Sequence, residues 1–317
     1  MSNAVRVLAF LPLLMPTLAD AQEAKTTAQV KVKARPSIYD VKLDARAQVV
    51  RAAAIAKRDN QRLLVMFGGD WCGWCHKLHD TFQQNRDISK ILREDYQLVM
   101  VDTKAPNAEA LLKECQGDLK QMGYPFLAVL DADGKIITRQ ETDALEEGDH
   151  HDPKKVRDFL SQWAPEKQEA AKVLKVAMDR ASSEDKRVFV HFGAPWCGWC
   201  HKLDNFLARE EIAKVMGKDF IDVKIDVDRM IGGKDIEAKF RKNPGEGIPW
   251  FVILDAKGEA IGNADGPNGN IGYPAAPDEI SHFLKMLRKA ARKSDAADFE
   301  LIEKTLKDAP EAKIKAR

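Results

Sequence analysis

The chain contains two copies of one sequence unit. The segment RLLVMFGGDWCGWCHKL at residues 62–78 aligns without a gap with RVFVHFGAPWCGWCHKL at residues 187–203. Further along, GYPFLAVLDADGK at residues 123–135 is matched by GIPWFVILDAKGE at residues 247–259. A long period with the motifs in the same order indicates duplication of a whole domain, because solenoid repeats are much shorter. A chain of 317 residues has room for about two such domains.

The hydrophobic pattern predicts the same alternation of helices and strands in each unit. Apolar residues at helical spacing in residues 45–57 and 166–181 predict a first helix. The short β-rich runs at residues 63–67 and 188–192 predict strands that are buried on both faces. The full predicted order is α, β, α, β, α, β, β, α. The predicted fold class is therefore α/β, with two tandem domains that each have a central mixed sheet flanked by helices.

Composition and helix ends divide the chain into five predicted segments. They are a signal peptide at residues 1–21, a flexible polar linker at 22–39, a first domain at 40–164, a second domain at 165–290 and a charged tail at 291–317. The tail contains one charged helical stretch, residues 296–306. Trp163-Ala164-Pro165 marks the domain boundary and leaves almost no linker. The two domains are therefore expected to have restricted relative freedom.

The first residues have the pattern of an export signal. Arg6 supplies a positive charge, residues 7–18 are largely apolar, and Ala19-Asp20-Ala21 fits a small-x-small cleavage site. The apolar run is short for a membrane span, so no span is expected after cleavage; an ordinary N-terminal helix is the alternative. The predicted location is periplasmic or secreted, an oxidising compartment. A net charge of +1 gives no general attraction to nucleic acid, and no nucleic-acid partner is expected.

The repeated Cys-x-x-Cys-His motif has several possible chemistries. It is typical of a redox dithiol, but Cys-x-x-Cys-His is also the attachment signature of c-type haem. A shared zinc site or four structural cysteines in permanent bridges are further alternatives. Haem attachment is disfavoured because an apolar strand runs directly into each motif, whereas the haem pocket is mostly helical. Zinc is disfavoured because the two pairs are much further apart than the usual ribbon spacing. The pattern favours the dithiol.

Both units resemble the thioredoxin-like family. The residues that carry the resemblance are a buried strand, then Trp-Cys-Gly-x-Cys followed by a basic residue at the start of a helix, then a proline about fifty residues later. The resemblance covers about residues 45–163 and 166–290. It implies that Pro125 and Pro249 are cis and pack beside the dithiols, with Tyr124 and Ile248 before them. Those four residues, with Trp71 and Trp196, are the predicted substrate-binding surface.

The spacing of the cysteines predicts their roles. A cysteine at a helix start points its sulfur at unpaired N–H groups and the positive end of the helix dipole, which favours thiolate. Cys72 and Cys197 are therefore the predicted nucleophiles. Cys75 and Cys200 follow one helical turn later and are predicted to resolve the mixed disulfide. The predicted redox disulfides are Cys72–Cys75 and Cys197–Cys200. The Gly-Trp dipeptide between the cysteines leaves the redox poise undetermined.

The two units differ where a proton would be transferred. Thioredoxins carry a buried acid six positions before the nucleophile, opposite a lysine on the next strand. The matching residues are His191 and Lys224 in the second unit, but Met66 and Met100 in the first. We expect His191, held neutral by burial and by Lys224, to accept the proton of Cys200; a purely structural hydrogen bond is the alternative. The first unit would need water or the leaving thiolate for this step.

Three other groups of residues raise questions of function. Cys115, the fifth cysteine, lies in a helical pattern and is predicted to be a small core residue. His150-His151 resembles a pair of metal ligands, but its loop sequence favours a solvated turn, and no metal site is predicted. His76 and His201 follow the second cysteine of each motif. They either add positive charge or are solvated helix residues.

Together these features predict an exported thiol:disulfide oxidoreductase, acting as a reductase or an isomerase. The expected partners are cysteine-containing exported proteins and a redox donor or acceptor protein. No cofactor is expected, because the cysteine pairs carry the electrons. The alternative from another class is a scaffold that binds client polypeptides without turnover.

Overall fold

The computed structural model describes residues 1, 35–117, 123–242 and 247–308. Residues 2–21 of the predicted signal peptide and residues 22–34 of the predicted linker lie outside this range. From Ser37 onwards the chain forms one compact unit. No helix in the described range is long and apolar enough to cross a membrane.

The first half forms a four-stranded sheet with helices around it. Its strand order is β2-β1-β3-β4, in which β1 is parallel to β2 and antiparallel to β3. The helices are α1 Ala45–Asp59, α2 Gly73–Gln84, α3 Arg86–Asp95, α4 Ala108–Glu114 and α5 Pro153–Gln162. The strands are β1 Arg62–Gly68, β2 Tyr96–Asp102, β3 Phe126–Leu130, β4 Ile136–Glu141, β5 Glu146–Glu147 and β6 His150–His151, with a 3-10 turn at Thr142–Leu145.

The second half repeats this arrangement. Its sheet order is β10-β9-β7-β8, with β7 parallel to β8 and antiparallel to β9. The helices are α6 Ala170–Ser183, α7 Gly198–Leu207, α8 Glu210–Asp219, α9 Gly233–Phe240, α10 Pro277–Ala290 and α11 Ala296–Lys307. The strands are β7 Arg187–Gly193, β8 Phe220–Asp226, β9 Trp250–Leu254, β10 Ala260–Asn263, β11 Asp265–Gly266 and β12 Gly269–Asn270. The predicted fold class is confirmed.

Each half departs from the predicted order of elements in two ways. The single helix expected after each cysteine motif is divided into two helices. In the first half the division lies at Asn85, whose side chain accepts hydrogen bonds from the N–H groups of Asp87 and Ile88 and so caps a new helix. Each half also carries a small extra hairpin after its last sheet strand, β5–β6 and β11–β12.

The central strands β1 and β7 are buried on both faces because apolar residues occupy nearly every position. In β1, Leu64 and Met66 face the cluster that contains Cys75, whereas Leu63 and Val65 face the opposite cluster with α1 and α4. This period of two is the geometry of a strand between two helical layers. The sheet therefore fixes where each strand delivers its cysteine motif.

The C-terminal helix belongs to the core of the second half. Phe299, Ile302 and Leu306 of α11 are buried in that core, and Asp295 caps the helix by accepting from Asp298 N–H at 3.1 Å. Residues 296–307, assigned from sequence to a charged tail, thus present one apolar face to the domain. The apolar residues of this face recur at spacings of three and four, the pattern of an amphipathic helix. The many charged residues between them hid that pattern in the sequence.

The two halves are joined by partly buried polar contacts. Arg229 donates from its guanidinium to the carbonyl oxygens of Asp59 and Asn60, at 2.8 and 2.9 Å, and pairs with Asp95 at 3.1 Å. An arginine at a helix C-terminus satisfies carbonyl groups that have no partner within the helix. Within the first half, Arg62 of β1 donates to the carbonyl of Trp163, next to the domain boundary, at 2.6 Å. The restricted relative freedom expected from the short boundary stays a prediction.

Candidate active site

Each dithiol lies at the start of a helix that follows the central strand. Cys72 is the N-cap of α2, and Cys197 is the N-cap of α7. In each case the outer sulfur accepts a hydrogen bond from the N–H of the inner cysteine, at 3.1 Å. The pairs Cys72–Cys75 and Cys197–Cys200 are disulfides with Cα atoms 5.2 Å apart. When the disulfide is reduced, the same N–H group and the helix dipole favour thiolate at the outer sulfur.

The predicted surface residues surround these disulfides. The peptide bonds Tyr124-Pro125 and Ile248-Pro249 are cis, as the resemblance implies. The Cys197 sulfur lies 3.4 Å from the carbonyl oxygen of Ile248. Trp71 and Trp196 are 56% and 58% exposed, so both indoles are available to a docking polypeptide. Their part in substrate binding stays a prediction.

The indoles are held differently in the two halves. Trp71 makes an edge-to-face contact with the Tyr124 ring, with centroids 5.2 Å apart. Trp196 instead donates from Nε1 to the Asp228 carboxylate at 2.7 Å. The two indoles therefore have different contacts, an aromatic ring in the first half and a carboxylate in the second.

His191 and Lys224 are brought together at the second centre, with carboxylates that the sequence reasoning missed. His191 and Lys224 are register partners on β7 and β8. His191 is buried, with Nδ1 3.5 Å from Asp204 and Nε2 3.2 Å from Asp222. Lys224 Nζ pairs with Asp204 at 2.6 Å. His191 therefore has a carboxylate near each ring nitrogen. The charge of Lys224, which was expected to act on His191, is paired with Asp204.

One signal for Asp204 was present in the sequence. Asp204 follows Cys200 by four residues, on the face of α7 that also buries Leu203 and Leu207. A carboxylate on an otherwise apolar helical face requires a cationic partner, because an unpaired buried charge is costly. The repeat comparison hid the signal, since the matching residue in the first unit is His79.

The first half contributes a residue to this cluster. Asp59, at the end of α1, pairs with Lys224 Nζ at 2.9 Å and with Arg58 at 3.1 Å. Burial opposes ionisation of Asp59, but the hydrogen bond from Arg58 and the charge of Lys224 outweigh it and lower the pKa of Asp59. Burial likewise opposes the charge of Lys224, but Asp204 and Asp59 raise its pKa above the ordinary value. Asp59 and Lys224 are thus both charged at neutral pH.

The cluster lies beside the inner cysteine of the second centre. A Cβ atom placed on Gly193 would lie 3.3 Å from the Cys200 sulfur and 3.8 Å from Lys224 Cε. Lys224 and Cys200 therefore flank the same point of β7. A cleft of about 640 Å³ between the halves borders this region and is lined by Asp59, Lys224 and Trp196, among others.

The first centre has a different neighbour at the equivalent place. Met66 and Met100 are register partners there, as expected for the counterparts of His191 and Lys224. A Cβ atom placed on Gly68 would lie within 3.0 Å of both the Cys75 sulfur and the Tyr39 hydroxyl oxygen. Tyr39 comes from the end of the predicted flexible linker, yet it is only 6% exposed. The sequence reasoning missed Tyr39 because it precedes the repeated unit.

Each motif histidine holds the loop before its dithiol. His76 Nε2 lies 3.0 Å from the carbonyl oxygen of Asp70, and His201 Nε2 lies 2.9 Å from that of Pro195. A carbonyl oxygen only accepts, so Nε2 carries the donated proton in both rings. His76 is also buried, so the interpretation as a solvated helix residue is wrong there. Both rings tie the helix to the strand–helix turn.

In each half a ring in or just after the extra hairpin packs on the tryptophan between the cysteines. His151 of β6 makes an edge-to-face contact with Trp74 at 5.2 Å, and Tyr273 stacks on Trp199 at 6.3 Å. His151 is 1% exposed, so the solvated-turn prediction fails for it, while His150 is exposed. Neither ring nitrogen of His151 has a hydrogen-bond partner among the described residues. No group of three or more possible metal ligands occurs in the described range either.

The buried His151 is expected to make the protein less stable in weak acid. Burial, and then the charges of Lys77 and His150, lower the pKa of His151 from 6.5 to about 4. The unfolded chain therefore binds this proton first. The neutral His151 ring therefore costs the fold nothing above pH 6.5, and the free energy of unfolding falls by about 3 kcal/mol as the pH falls towards 4. Denaturant unfolding across this range should show the loss.

The matched variants are His151→Phe and His150→Gln. His151→Phe should remove this part of the pH dependence, because phenylalanine fills the site without a proton to bind. His150→Gln, at the exposed neighbouring position, should retain it. Equal pH dependence in His151→Phe and the parent would contradict the assignment to His151.

Comparison with known proteins agrees with the geometry. Residues 44–132 match a family model described as thioredoxin-like. Residues 154–242 match the Thioredox_DsbH model, described as a protein of unknown function, DUF255. The matched ranges contain Cys72, Cys75, Cys197 and Cys200.

Individual relatives share parts of the chain. Over 215 residues the chain is 25% identical to protein disulfide-isomerase 1 of Dictyostelium discoideum, covering 63% of this chain and 54% of the relative. Over 90 residues it is 29% identical to the disulfide bond reductase DsbH of Chlamydia pneumoniae, covering 26% of this chain and 54% of the relative. A solved disulphide isomerase from Xylella fastidiosa is 27% identical, with a TM-score of 0.36, and 41% of this chain covers 98% of it.

The chain thus spans about half the length of these two sequence relatives. The part shared with the thioredoxin-like model includes the strand, the capped dithiol and the cis-proline of the first half. The second half repeats all three features in the same order. With both halves built in this way, the chain belongs to the thioredoxin-like superfamily.

Proposed function

We propose that this protein is an exported thiol:disulfide oxidoreductase that exchanges disulfides with cysteine-containing proteins. The observation that carries the proposal is the capping of α2 and α7 by Cys72 and Cys197, whose sulfurs accept the N–H of the inner cysteine. The relatives named as a disulfide-isomerase and a disulfide bond reductase support the same chemistry. The export signal in residues 1–21 supports a periplasmic or secreted location.

In the reducing direction the outer thiolate begins the reaction. Cys72 or Cys197 attacks one sulfur of the substrate disulfide, the substrate S–S bond breaks, and its electron pair leaves with the other substrate sulfur. The inner cysteine, deprotonated, then attacks the outer sulfur, forms the disulfide seen in the structure and releases the second substrate thiolate. A redox donor protein would reduce the disulfide again. In isomerisation the released substrate thiolate instead attacks a different substrate disulfide.

At the second centre we propose that the cluster around His191 handles the proton of Cys200. His191 is buried between Asp204 and Asp222, and Lys224 lies beside the inner sulfur. The group that takes the proton need not be His191 itself, because Asp204 faces both His191 and Lys224. The proposed catalytic set is therefore Cys197, Cys200, His191, Lys224 and Asp204.

Loss of the inner cysteine is expected to trap the substrate. In the variants Cys75→Ser and Cys200→Ser, the outer cysteine can still attack, but no thiol remains to resolve the mixed disulfide. Incubation of the reduced variant with insulin should therefore accumulate a covalent adduct at Cys72 or Cys197. Non-reducing electrophoresis followed by mass spectrometry identifies the linked cysteine.

The control is Cys115→Ser, which should form no more adduct than the wild type. Adducts on Cys115, or no adduct in either trapping variant, would contradict the proposed function. A stable complex with insulin without any disulfide reduction would favour the client-binding alternative, which the exposed indoles of Trp71 and Trp196 could support.

A further inference from the structure

The unexplained group at the first centre is the buried hydroxyl of Tyr39. The residue is 6% exposed, and its hydroxyl oxygen has no hydrogen-bond partner among the residues that the structure describes. Most buried polar groups are hydrogen-bonded, so an unpaired hydroxyl requires an explanation. Its position next to the Cys75 sulfur, across Gly68, provides one.

The segment that carries Tyr39 is held in place by one carboxylate. Asp70, two residues before Cys72, accepts from the N–H groups of Ile38 and Tyr39 at 2.9 and 3.2 Å, and from the Ser37 hydroxyl. The turn that presents the dithiol therefore also positions Tyr39. Such anchoring would not be needed if the segment were the flexible linker that its composition predicts.

Gly68 makes room for this contact. A side chain there would collide with the Cys75 sulfur and the Tyr39 ring, so glycine is required for the approach. At the matching Gly193 in the second half, the near atoms belong to Cys200 and Lys224. A different side chain thus approaches each inner sulfur, the phenol of Tyr39 in the first half and the stem of Lys224 in the second.

We propose that Tyr39 donates a hydrogen bond to the Cys75 sulfur when that sulfur becomes a thiolate. The proposal deepens the proposed function by assigning a donor to the first centre. When an incoming thiolate attacks Cys72, the Cys72–Cys75 bond breaks and its electron pair leaves on Cys75. The Tyr39 hydroxyl then donates to this anion and keeps its own proton. In the disulfide the hydroxyl has no hydrogen-bond partner among the described residues, so its proton is available when Cys75 becomes an anion.

The surrounding charges are consistent with a neutral donor. Burial, and then the neighbouring carboxylates of Asp102 and Asp70, raise the pKa of Tyr39 above its ordinary value. The hydroxyl therefore stays protonated at any pH at which the enzyme would work. The charges that raise this pKa belong to the same two carboxylates, which favour the neutral phenol over the phenolate.

The test uses the full chain with Cys197→Ser and Cys200→Ser, so that only the first dithiol is redox-active. Dithiothreitol reduces Cys72–Cys75, and tryptophan fluorescence reports the rate. Tyr39→Phe should slow this reduction about ten- to hundredfold, as expected for loss of a hydrogen bond to a charged atom. The thermal midpoint of the oxidised variant should be unchanged or higher, because the removed hydroxyl has no partner in that state.

Two controls separate the donor from a volume filler. Tyr96→Phe removes another buried hydroxyl, which donates to the Leu160 carbonyl at 2.7 Å, and should leave the reduction rate unchanged. Tyr39→Phe in a Cys72→Ser/Cys75→Ser background should leave reduction of Cys197–Cys200 unchanged. A rate within twofold of the parent for Tyr39→Phe at the first dithiol would overturn the proposal.

The remaining outcomes are also decisive. If Tyr39→Phe fails to fold, the chain is labelled with 3-fluorotyrosine at its four tyrosines. The fluorine resonance of Tyr39 should then shift on reduction of the first dithiol, while that of Tyr96 should not; no shift at Tyr39 would overturn the proposal. Dithiothreitol reduction does not require a protein substrate. An inactive parent on insulin would therefore count against the proposed function alone.

Discussion

Replacing Cys72 and Cys197 together by serine is expected to abolish insulin reduction, down to the rate without protein. The physical reason is that a serine hydroxyl remains protonated near neutral pH, whereas a cysteine at a helix N-cap is poised to be thiolate. The inner cysteines cannot substitute, because their side chains are more deeply buried than those of the outer cysteines. The assay is the turbidity of the precipitating insulin chains.

The single variants show how the insulin-reducing activity is divided between the two centres. If each centre acts independently, Cys72→Ser and Cys197→Ser should each retain the rate of the other centre, and the two rates should sum to that of the wild type. A single variant as inactive as the double variant would instead mean that the two centres act in series. Normal activity in the double variant would refute the enzymatic function.

Cys115→Ser is the matched control for these variants. Cys115 is buried in the first half, and burial, then the charge of Glu114, raises the pKa of its thiol to about 12. It stays a thiol at neutral pH and should be inert. This agrees with its sequence prediction as a small core residue. Wild-type activity in Cys115→Ser would show that serine substitution as such is harmless.

Much of the fold followed from the sequence because the two units support each other. The buried strands, the helix starts at the cysteines and the two hairpin strands each appear twice at matching positions, so a weak local signal gains strength from its repeat. Pro125 and Pro249 were located by the resemblance, and both are cis. The pairing of Met66 with Met100, and of His191 with Lys224, followed from strand register.

The residues that were missed lie outside the repeated pattern. Tyr39 precedes the first unit, and Asp59 reaches its partner Lys224 across a contact between the halves. Asp204 stands where the first unit has His79. No local periodicity reports contacts between residues so distant in the chain. Packing of one half on the other brings Asp59 to Lys224, whereas Tyr39 and Asp204 meet their partners through packing within their own halves.

These residues make the two centres unlike. The Tyr39 hydroxyl reaches the first inner sulfur across Gly68, whereas the matching place at Gly193 is taken by the stem of Lys224. The ammonium group of Lys224 is itself paired with Asp204 and Asp59. We therefore expect the two centres to differ in reduction potential, which equilibrating each single-centre variant with a glutathione buffer would measure.

Lys224→Met is expected to destabilise the protein by about 3–5 kcal/mol, the cost of removing one partner from a buried ion pair. Asp204 and Asp59 would lose the ammonium group that lies 2.6 and 2.9 Å from them, and Asp204 is almost fully buried. Methionine fills the place of the lysine stem, as Met100 does in the first half. Urea unfolding at neutral pH measures the change in the free energy of unfolding.

The double variant Lys224→Met/Asp204→Leu should recover part of this loss, because a buried pair replaced by apolar residues leaves no unpaired charge.

The pH dependence of stability provides a second check. The pKa of Asp59 is lowered in the fold, so its contribution is present above its unfolded pKa of about 3.8 and is lost as the pH falls further. Lys224→Met should move this acid limb to higher pH by raising the pKa of Asp59. If Lys224→Met and the parent unfold at the same urea concentration, the cluster does not stabilise the second half.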